Sequence, residues 1–473
     1  MQIIQKSIIL AAFCCAISTT VAQDMKQKLE MNYDKFKTLP ALKHGIASLY
    51  VMNSESGETI FEDNSQIGLP TASTLKVITA ITALDILGTD YKYTTTLDYT
   101  GRIDDKGILH GDLIIRGTGD PTLGSERYEQ SKSSVLLNRW TDAVSKAGIK
   151  GIRGRVIGDD LRYNGHDIPG GWIWTDMGNY YGAGVSALNW QENKAGIQFT
   201  PSATGQMASI KEINSDLRYL NIINQVKTGS KGSGDNVYAY SAPYSEKIYL
   251  RGTYGIDLKK TIEISLPDPG YAVAHQLKLA LEQRGIPVEN GTTTTQRLVE
   301  KNQYIDEKST IIDTYNSPSL ADIVYWFNQK SINLYGEAML KTIGYTLSNA
   351  TTTQTAATQL KKYWLNKIGI STAELDVVDG SGLSPQNNIT TSAMSRIMQY
   401  ARNKPWFTAF NKSLPIYNQM TMKSGTINGT LGYTGYHESK SGHKYTFSVL
   451  VYNYATSATD MRQHLFELLN TLK

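Results

Sequence analysis

Cysteine is almost missing from this chain. Its 473 residues include two, Cys14 and Cys15, adjacent and close to the start. Charge is also sparse, at 19% of residues. The 47 basic and 43 acidic side chains are interspersed and leave a formal charge of +4. No block of one sign forms the basic face that a nucleic-acid binder needs, so that class is excluded. Beyond residue 22 no apolar run is long enough to cross a bilayer. Several reaction signatures are absent as well. There is no HExxH pair for zinc, no GxSxG elbow and no phosphate loop. Gly117-Thr118-Gly119 lacks the third glycine of a dinucleotide fingerprint. The seven histidines are scattered, and nothing local joins one to a serine and an aspartate.

What is present begins with an address. Lys6, the apolar run Ile8–Ile17 and the small residues before Gln23 read as a secretory signal over residues 1–22. Phe13 and the apolar residues that follow Cys14 disfavour a lipoprotein reading of that cysteine. Cleavage after Ala22 removes both cysteines, and disulfides, thiol catalysis and cysteine-based zinc sites go with them. The expected location is therefore outside the cytoplasm, in the periplasm or cell envelope, with peripheral attachment left open. Forty glycines and 29 tyrosines lean the rest towards strands and turns. The length implies two or three domains.

Along the chain, residues 44–63 read as a hairpin turned at Ser54-Glu55-Ser56-Gly57. Leu75, Ile78, Ile81 and Leu84 repeat at helical spacing, which predicts a helix opening at Pro70 and stopping at Gly88. From about 89 to 304 short Thr-, Tyr- and Ile-rich runs alternate with glycine turns. This predicts a β-rich insert with one helix near 131–147 and a flexible loop at 228–234. Ser317-Pro318-Ser319 with Asp322 predicts a helix start, and a second helix follows over 334–346. Strands are expected at 419–426, 430–437 and 444–453, then a helix at 457–472 that packs on a sheet.

Three short strings carry chemistry. Ser73-Thr74-Leu75-Lys76 sets a hydroxyl and an amine one helical turn apart. A serine hydroxyl needs a base to become a nucleophile, and a lysine serves only if burial or nearby positive charge lowers its pKa. Ser-x-x-Lys also arises by chance: Ser441-Gly442-His443-Lys444 matches it, but in a predicted turn. The second string is Ser331-Ile332-Asn333, between two predicted helices, where Ser and Asn also serve as ordinary caps. The third is Lys423-Ser424-Gly425-Thr426 on a predicted strand. Alternation puts Ser424 and Thr426 on one side, and the glycine admits a close neighbour. Lys227-Thr228-Gly229 is a competing match, set aside because it leads into a Gly/Ser loop and precedes Ser331.

In this order and context, the three strings resemble the active-site signature of penicillin-recognising serine enzymes. The long gap between Ser73 and Ser331 resembles the class C low-molecular-mass penicillin-binding proteins, the D-alanyl-D-alanine carboxypeptidase/endopeptidase family. Gly117–Leu123, Val156–Asp160, Tyr180–Ala183, Ser186–Asn189 and Asp379–Ser384 agree with it. The resemblance implies an α+β fold: a serine β-lactamase/transpeptidase-like domain, with an antiparallel sheet flanked by helices, in two segments at 24–88 and 305–473. The 89–304 insert would form two β-rich modules.

The resemblance also implies roles. Ser73 is acylated and Lys76 is its base. Ser331 relays a proton, Asn333 holds a substrate amide, and Lys423 adds positive charge. Ser424 and Thr426 grip the terminal carboxylate of D-Ala-D-Ala. The partners would be peptidoglycan stem peptides and β-lactams, with no metal or cofactor. This sequence departs from the family in two places. Ser424 replaces the usual Thr, and Pro385 stands where an Arg often follows the Asp379–Ser384 string. Asp159 is the candidate to meet the far end of the stem peptide, with turn capping as its alternative role. A β-lactamase or esterase on the same scaffold, and a non-enzymatic penicillin sensor, are the competing functions.

Overall fold

The computed structural model describes residues 24–165, 167–305 and 308–473. The secretory signal expected at 1–22 lies outside the described residues. The chain packs into two compact units. One takes the chain up to Ile81, with Lys361–Val377 and Pro385–Lys473; the other takes Thr82–Leu360 and Val378–Ser384.

The first unit is built on a six-stranded sheet. Its strands are β1 (Ile46–Asn53), β2 (Thr59–Asp63), β3 (Ile416–Tyr417), β4 (Met420–Ile427), β5 (Thr430–Glu438) and β6 (Lys444–Tyr452), in the order β2-β1-β6-β5-β4-β3. Every neighbouring pair is antiparallel. The predicted hairpin thus joins the three predicted C-terminal strands. Gly429 (φ 73°) and Gly442 (φ 86°) supply the left-handed turns between β4, β5 and β6. One sheet face carries Leu49, Val51, Leu431, Phe447 and Val449 into a core completed by two helices. The Ala458–Leu469 helix supplies Met461, Leu465 and Leu468. A helix over 24–37 supplies Leu29, Tyr33 and Phe36. The latter helix was not expected, although those three residues repeat at its period. The other face carries polar side chains that bond to a helix laid over it. Ser48 bonds Thr391 at 2.7 Å and Thr446 donates to Gln399 at 2.8 Å, both on the Thr391–Ala401 helix. Core packing of this kind contributes about 1.5–3 kcal/mol per buried Leu, Val or Phe.

The second unit is built on several smaller sheets. A five-stranded mixed sheet runs Thr292–Thr294, Val156–Asp159, Leu113–Arg116, Thr94–Thr100, Ser309–Asn316. Three-stranded sheets include the one formed by Asn221–Gly229, Lys247–Gly255 and Asp235–Tyr240. The expected helix is Ser133–Lys146. A second long helix, Pro269–Gln283, was not expected. Asp268 caps it by accepting from the Tyr271 N–H, and Pro269 opens it. The loop expected at 228–234 is shorter: the strand continues to Gly229, and a tight turn follows with Gly232 and Gly234 at positive φ. Leu320–Lys330 is capped by Ser319, as predicted, and Asn333–Ser348 follows after two residues. Among the described residues no helix is long and apolar enough to cross a membrane.

Candidate active site

The Ser73 string folds as a 3₁₀ turn, Ala72–Leu75, and the α-helix proper starts at Lys76. The reason lies one residue before the serine. Ala72 has φ 46°, a left-handed conformation that an alanine adopts only under constraint. The Thr74 hydroxyl donates to the Thr71 carbonyl at 2.7 Å and ties the turn. The Lys76 Nζ donates to the Ser73 Oγ at 2.9 Å. Lys76 is fully buried while Ser73 is half-buried, so the hydroxyl can be reached from outside and its amine partner cannot.

Strand β4 runs against this turn. A Cβ on Gly425 would lie 2.6 Å from the Thr71 carbonyl oxygen, 2.7 Å from the Thr74 nitrogen and 2.9 Å from the Ser73 nitrogen. Only glycine allows that approach. Strand alternation puts Lys423 on the same face as Gly425. Lys423 is buried, and burial pushes its ammonium down from 10.5 to about 7. Its Nζ donates to the Ser424 carbonyl at 2.9 Å. Ser424 and Thr426 share the opposite face, Ser424 half-buried and Thr426 exposed. On the outer side of β4, β3 pairs only Met420 and Thr421. Residues 423–427 therefore form a free strand edge among the described residues.

Within the second unit, Ser331 ends the Leu320–Lys330 helix in a left-handed conformation, φ 56°. Asn333 opens the next helix and donates its Nδ2 to the Tyr181 carbonyl at 2.7 Å. One turn later sits Glu337, fully buried, whose two carboxylate oxygens accept from the Gly380 N–H at 3.1 and 2.9 Å. The Asp379 carboxylate accepts from the Gly382 and Ser384 N–H groups, each at 2.7 Å, and from the Trp172 Nε1 at 2.9 Å. Sequence reasoning did not single out Tyr181, Glu337 or Trp172. The only sequence sign was that the 180–183 and 379–384 strings carried the resemblance.

Asp159 stands at the end of its strand. Its carboxylate pairs with Arg116 at 2.6 Å and accepts from the Thr295 hydroxyl at 3.0 Å and, more weakly, from the Leu161 N–H at 3.4 Å. Arg116 also pairs with Asp98, so the three residues clamp neighbouring strands of the five-stranded sheet. The competing Ser441 and Lys444 do not meet. Ser441 bonds Ser439 in a turn, and Lys444 pairs with Glu55. Lys227-Thr228-Gly229 lies on a strand after all, but at its end, where it enters the 230–234 turn.

A reachable hydroxyl whose hydrogen-bond partner is a dry amine is suited to taking an acyl group. With a Lys-Ser-Gly strand laid against the same turn, this places the protein among the active-site-serine acyl-transfer enzymes. The chain belongs to the D-Ala-D-Ala carboxypeptidase 3 (S13) family, which it matches over residues 29–472. That membership makes it a serine-type D-Ala-D-Ala carboxypeptidase. It is 23% identical over 451 residues to a D-alanyl-D-alanine carboxypeptidase of Actinomadura sp., covering 89% of this chain and 80% of that protein. Its α+β fold is that of penicillin binding protein 4 of Haemophilus influenzae. The TM-score is 0.76 at 20% identity, over 94% of this chain and 97% of that one. The same protein complexed with a β-lactam gives a TM-score of 0.71 at 19% identity and the same coverage.

Proposed function

We propose that the protein hydrolyses D-Ala-D-Ala ends and peptide cross-links of peptidoglycan through an acyl-enzyme on Ser73. The observation that carries this reading is the 2.9 Å bond between the buried Lys76 amine and the Ser73 hydroxyl. The Lys76 amine takes the hydroxyl proton as Oγ attacks the penultimate D-Ala carbonyl carbon. Collapse of the tetrahedral adduct breaks the C–N bond, and the proton passes through Ser331 to the leaving amine. Water then cleaves the ester, freeing the shortened peptide and restoring the Ser73 hydroxyl. The N–H groups of Ser73 and Thr426 are assigned to the oxyanion; the closeness of Gly425 to the Ser73 nitrogen supports this pairing. The free edge at 423–427 suits an extended peptide added as a further strand. Asn333, already oriented by Tyr181, holds a substrate amide.

Ser424 and Thr426 grip the terminal carboxylate, and Lys423, on the other face of the strand, adds positive charge. Below about pH 7 its ammonium is charged without help, and an arriving carboxylate raises its pKa again. For Asp159, the occupied carboxylate favours the turn and sheet role over substrate contact. The reading includes β-lactams as acylating ligands, supported by the β-lactam complex of the H. influenzae protein. It also includes export through the 1–22 signal to the periplasm or cell envelope. The division into a catalytic domain at 24–88 and 305–473 and an insert at 89–304 belongs to the same proposal. Family membership favours this function over a β-lactamase, an esterase or a sensor.

The test is intact-mass measurement after benzylpenicillin, with peptide mapping of the adduct. A single adduct on Ser73 is expected, with no labelling of Ser73→Ala and full labelling of Ser441→Ala. Turnover of a soluble D-Ala-D-Ala peptide should accompany it. An adduct elsewhere, or labelling without peptide turnover, rejects the assignment.

A further inference from the structure

The Asn221–Gly229, Lys247–Gly255, Asp235–Tyr240 sheet buries one face and leaves the other open. Val226, Val237, Ala239, Ile248 and Leu250 point into the core. On the open face, register sets Tyr238 beside Arg251 and Tyr240 beside Tyr249, with Gln225 on the far side of Arg251. The Arg251 Nε donates to the Gln225 Oε1 at 2.9 Å, and its guanidinium lies 5.6 Å from the Tyr240 ring centre and 5.4 Å from that of Tyr249. The Trp174 ring packs on Tyr240, centres 6.2 Å apart and 33° from parallel. Trp174 is 55% exposed, Tyr180 51% and Tyr238 43%. Three half-exposed aromatics on one surface need an explanation, because such patches mark binding sites.

At its edge the platform runs into a groove. Tyr238 lines both. The groove holds about 280 Å³, and its walls include Tyr180, Tyr181, Asp235, Lys260 and Glu263. Lys260 and Asp235 form an ion pair at 3.0 Å across it. Tyr181 also gives its carbonyl to Asn333. One wall of the groove is thus the residue whose backbone holds Asn333, the residue assigned to substrate amide binding.

The chemistry of the surface selects its occupant. The groove's charges are paired, Asp235 with Lys260 and Glu263 with Lys194, so it offers little net positive charge to nucleic-acid phosphates or anionic lipid. A folded protein partner would bring apolar anchors that need deep pockets, and here the rings stand on an open sheet. A pyranose ring fits both features. Its C–H face packs on a flat aromatic ring, and its hydroxyl and acetamido groups match the planar Gln225 and Arg251 groups and the groove's carboxylates and ammonium. We propose that this face binds the N-acetylhexosamine glycan strand of peptidoglycan and presents the attached stem peptide, through the groove, towards Asn333. The proposal rests on the peptidase reading for the direction in which the peptide runs.

The experiment uses full-length protein first acylated with benzylpenicillin. The probe is linear glycan strands stripped of peptides by an amidase. The acylated protein should co-sediment with them. Trp174→Ala and Tyr238→Ala, made separately, should each weaken binding about tenfold. Trp174→Ala should still turn over a short soluble D-Ala-D-Ala peptide at the native rate, and Tyr238→Ala should keep the native far-ultraviolet spectrum and unfolding midpoint, which certifies their folds. Gln225→Ala should weaken glycan binding less. An active native protein that ignores stripped glycan, or variants that bind it as the native does, would overturn the proposal. Loss of peptide turnover in the native protein would instead strike the peptidase reading, while glycan binding is still read by itself.

Discussion

Lys423 keeps an amine where water does not reach. Its folded pKa of about 7 lies well below the ordinary 10.5 because burial penalises the ammonium. Between those values the unfolded chain holds a proton there and the folded chain does not. Stability from this group therefore rises with pH from about 7 to about 10.5, and below 7 the full cost of the buried charge is felt. Against Lys423→Met, the native protein should gain roughly 2 kcal/mol between pH 7 and pH 9. Urea midpoints of both proteins at the two pH values measure it. A difference that stays flat or falls across that window contradicts the shifted pKa. Ala72 makes the complementary point. Its positive φ sets the angle at which Ser73 leaves the chain, and nothing in the side chain of an alanine announces this.

At the scale of elements, two close approaches hold the chemistry. The first is β4 against the 71–74 turn. In Gly425→Ala the new methyl meets backbone atoms at 2.6–2.9 Å. Neither partner is a flexible side-chain end, so strand and turn must separate. A displacement of this order costs about 100-fold in rate, and strain of about 1–3 kcal/mol in stability. Penicillin acylation kinetics should show the former while the far-ultraviolet spectrum stays native. The second is the Asn333–Ser348 helix against the Asp379 loop. Glu337→Ala leaves the buried Gly380 N–H without its acceptor, a loss of about 1–3 kcal/mol. Glu337→Gln keeps one acceptor oxygen and should recover most of it. Thermal unfolding of the pair measures both. A Glu337→Ala protein as stable as the native one would show that the bond carries no load.

For the molecule as a whole, what the sequence made legible was local. Ser73, Ser331 and Lys423 each sit where a short pattern announces an element boundary or a strand. The three C-terminal strands and the 44–63 hairpin lay within a residue or two of their positions. What stayed hidden was long-range or strained. The Pro269–Gln283 helix was hidden by its strand-rich surroundings, despite the Asp268 cap. Ser309–Asn316 pairs with Thr94–Thr100, a partnership no window of sequence contains. The Arg116 partner of Asp159 is equally remote, and only the folded chain shows that the carboxylate is already engaged.

The pairing of β1 with β6 has a further consequence. Ile46 lies opposite Tyr452, so two adjoining strands of the six-stranded sheet come from stretches about 400 residues apart. Until the 444–452 stretch has been made, β2 is the only strand that pairs with β1, and a lone hairpin is marginal in water. For a protein proposed to be threaded through a translocation channel, this late pairing leaves β1 without one neighbour while the chain between the two strands passes.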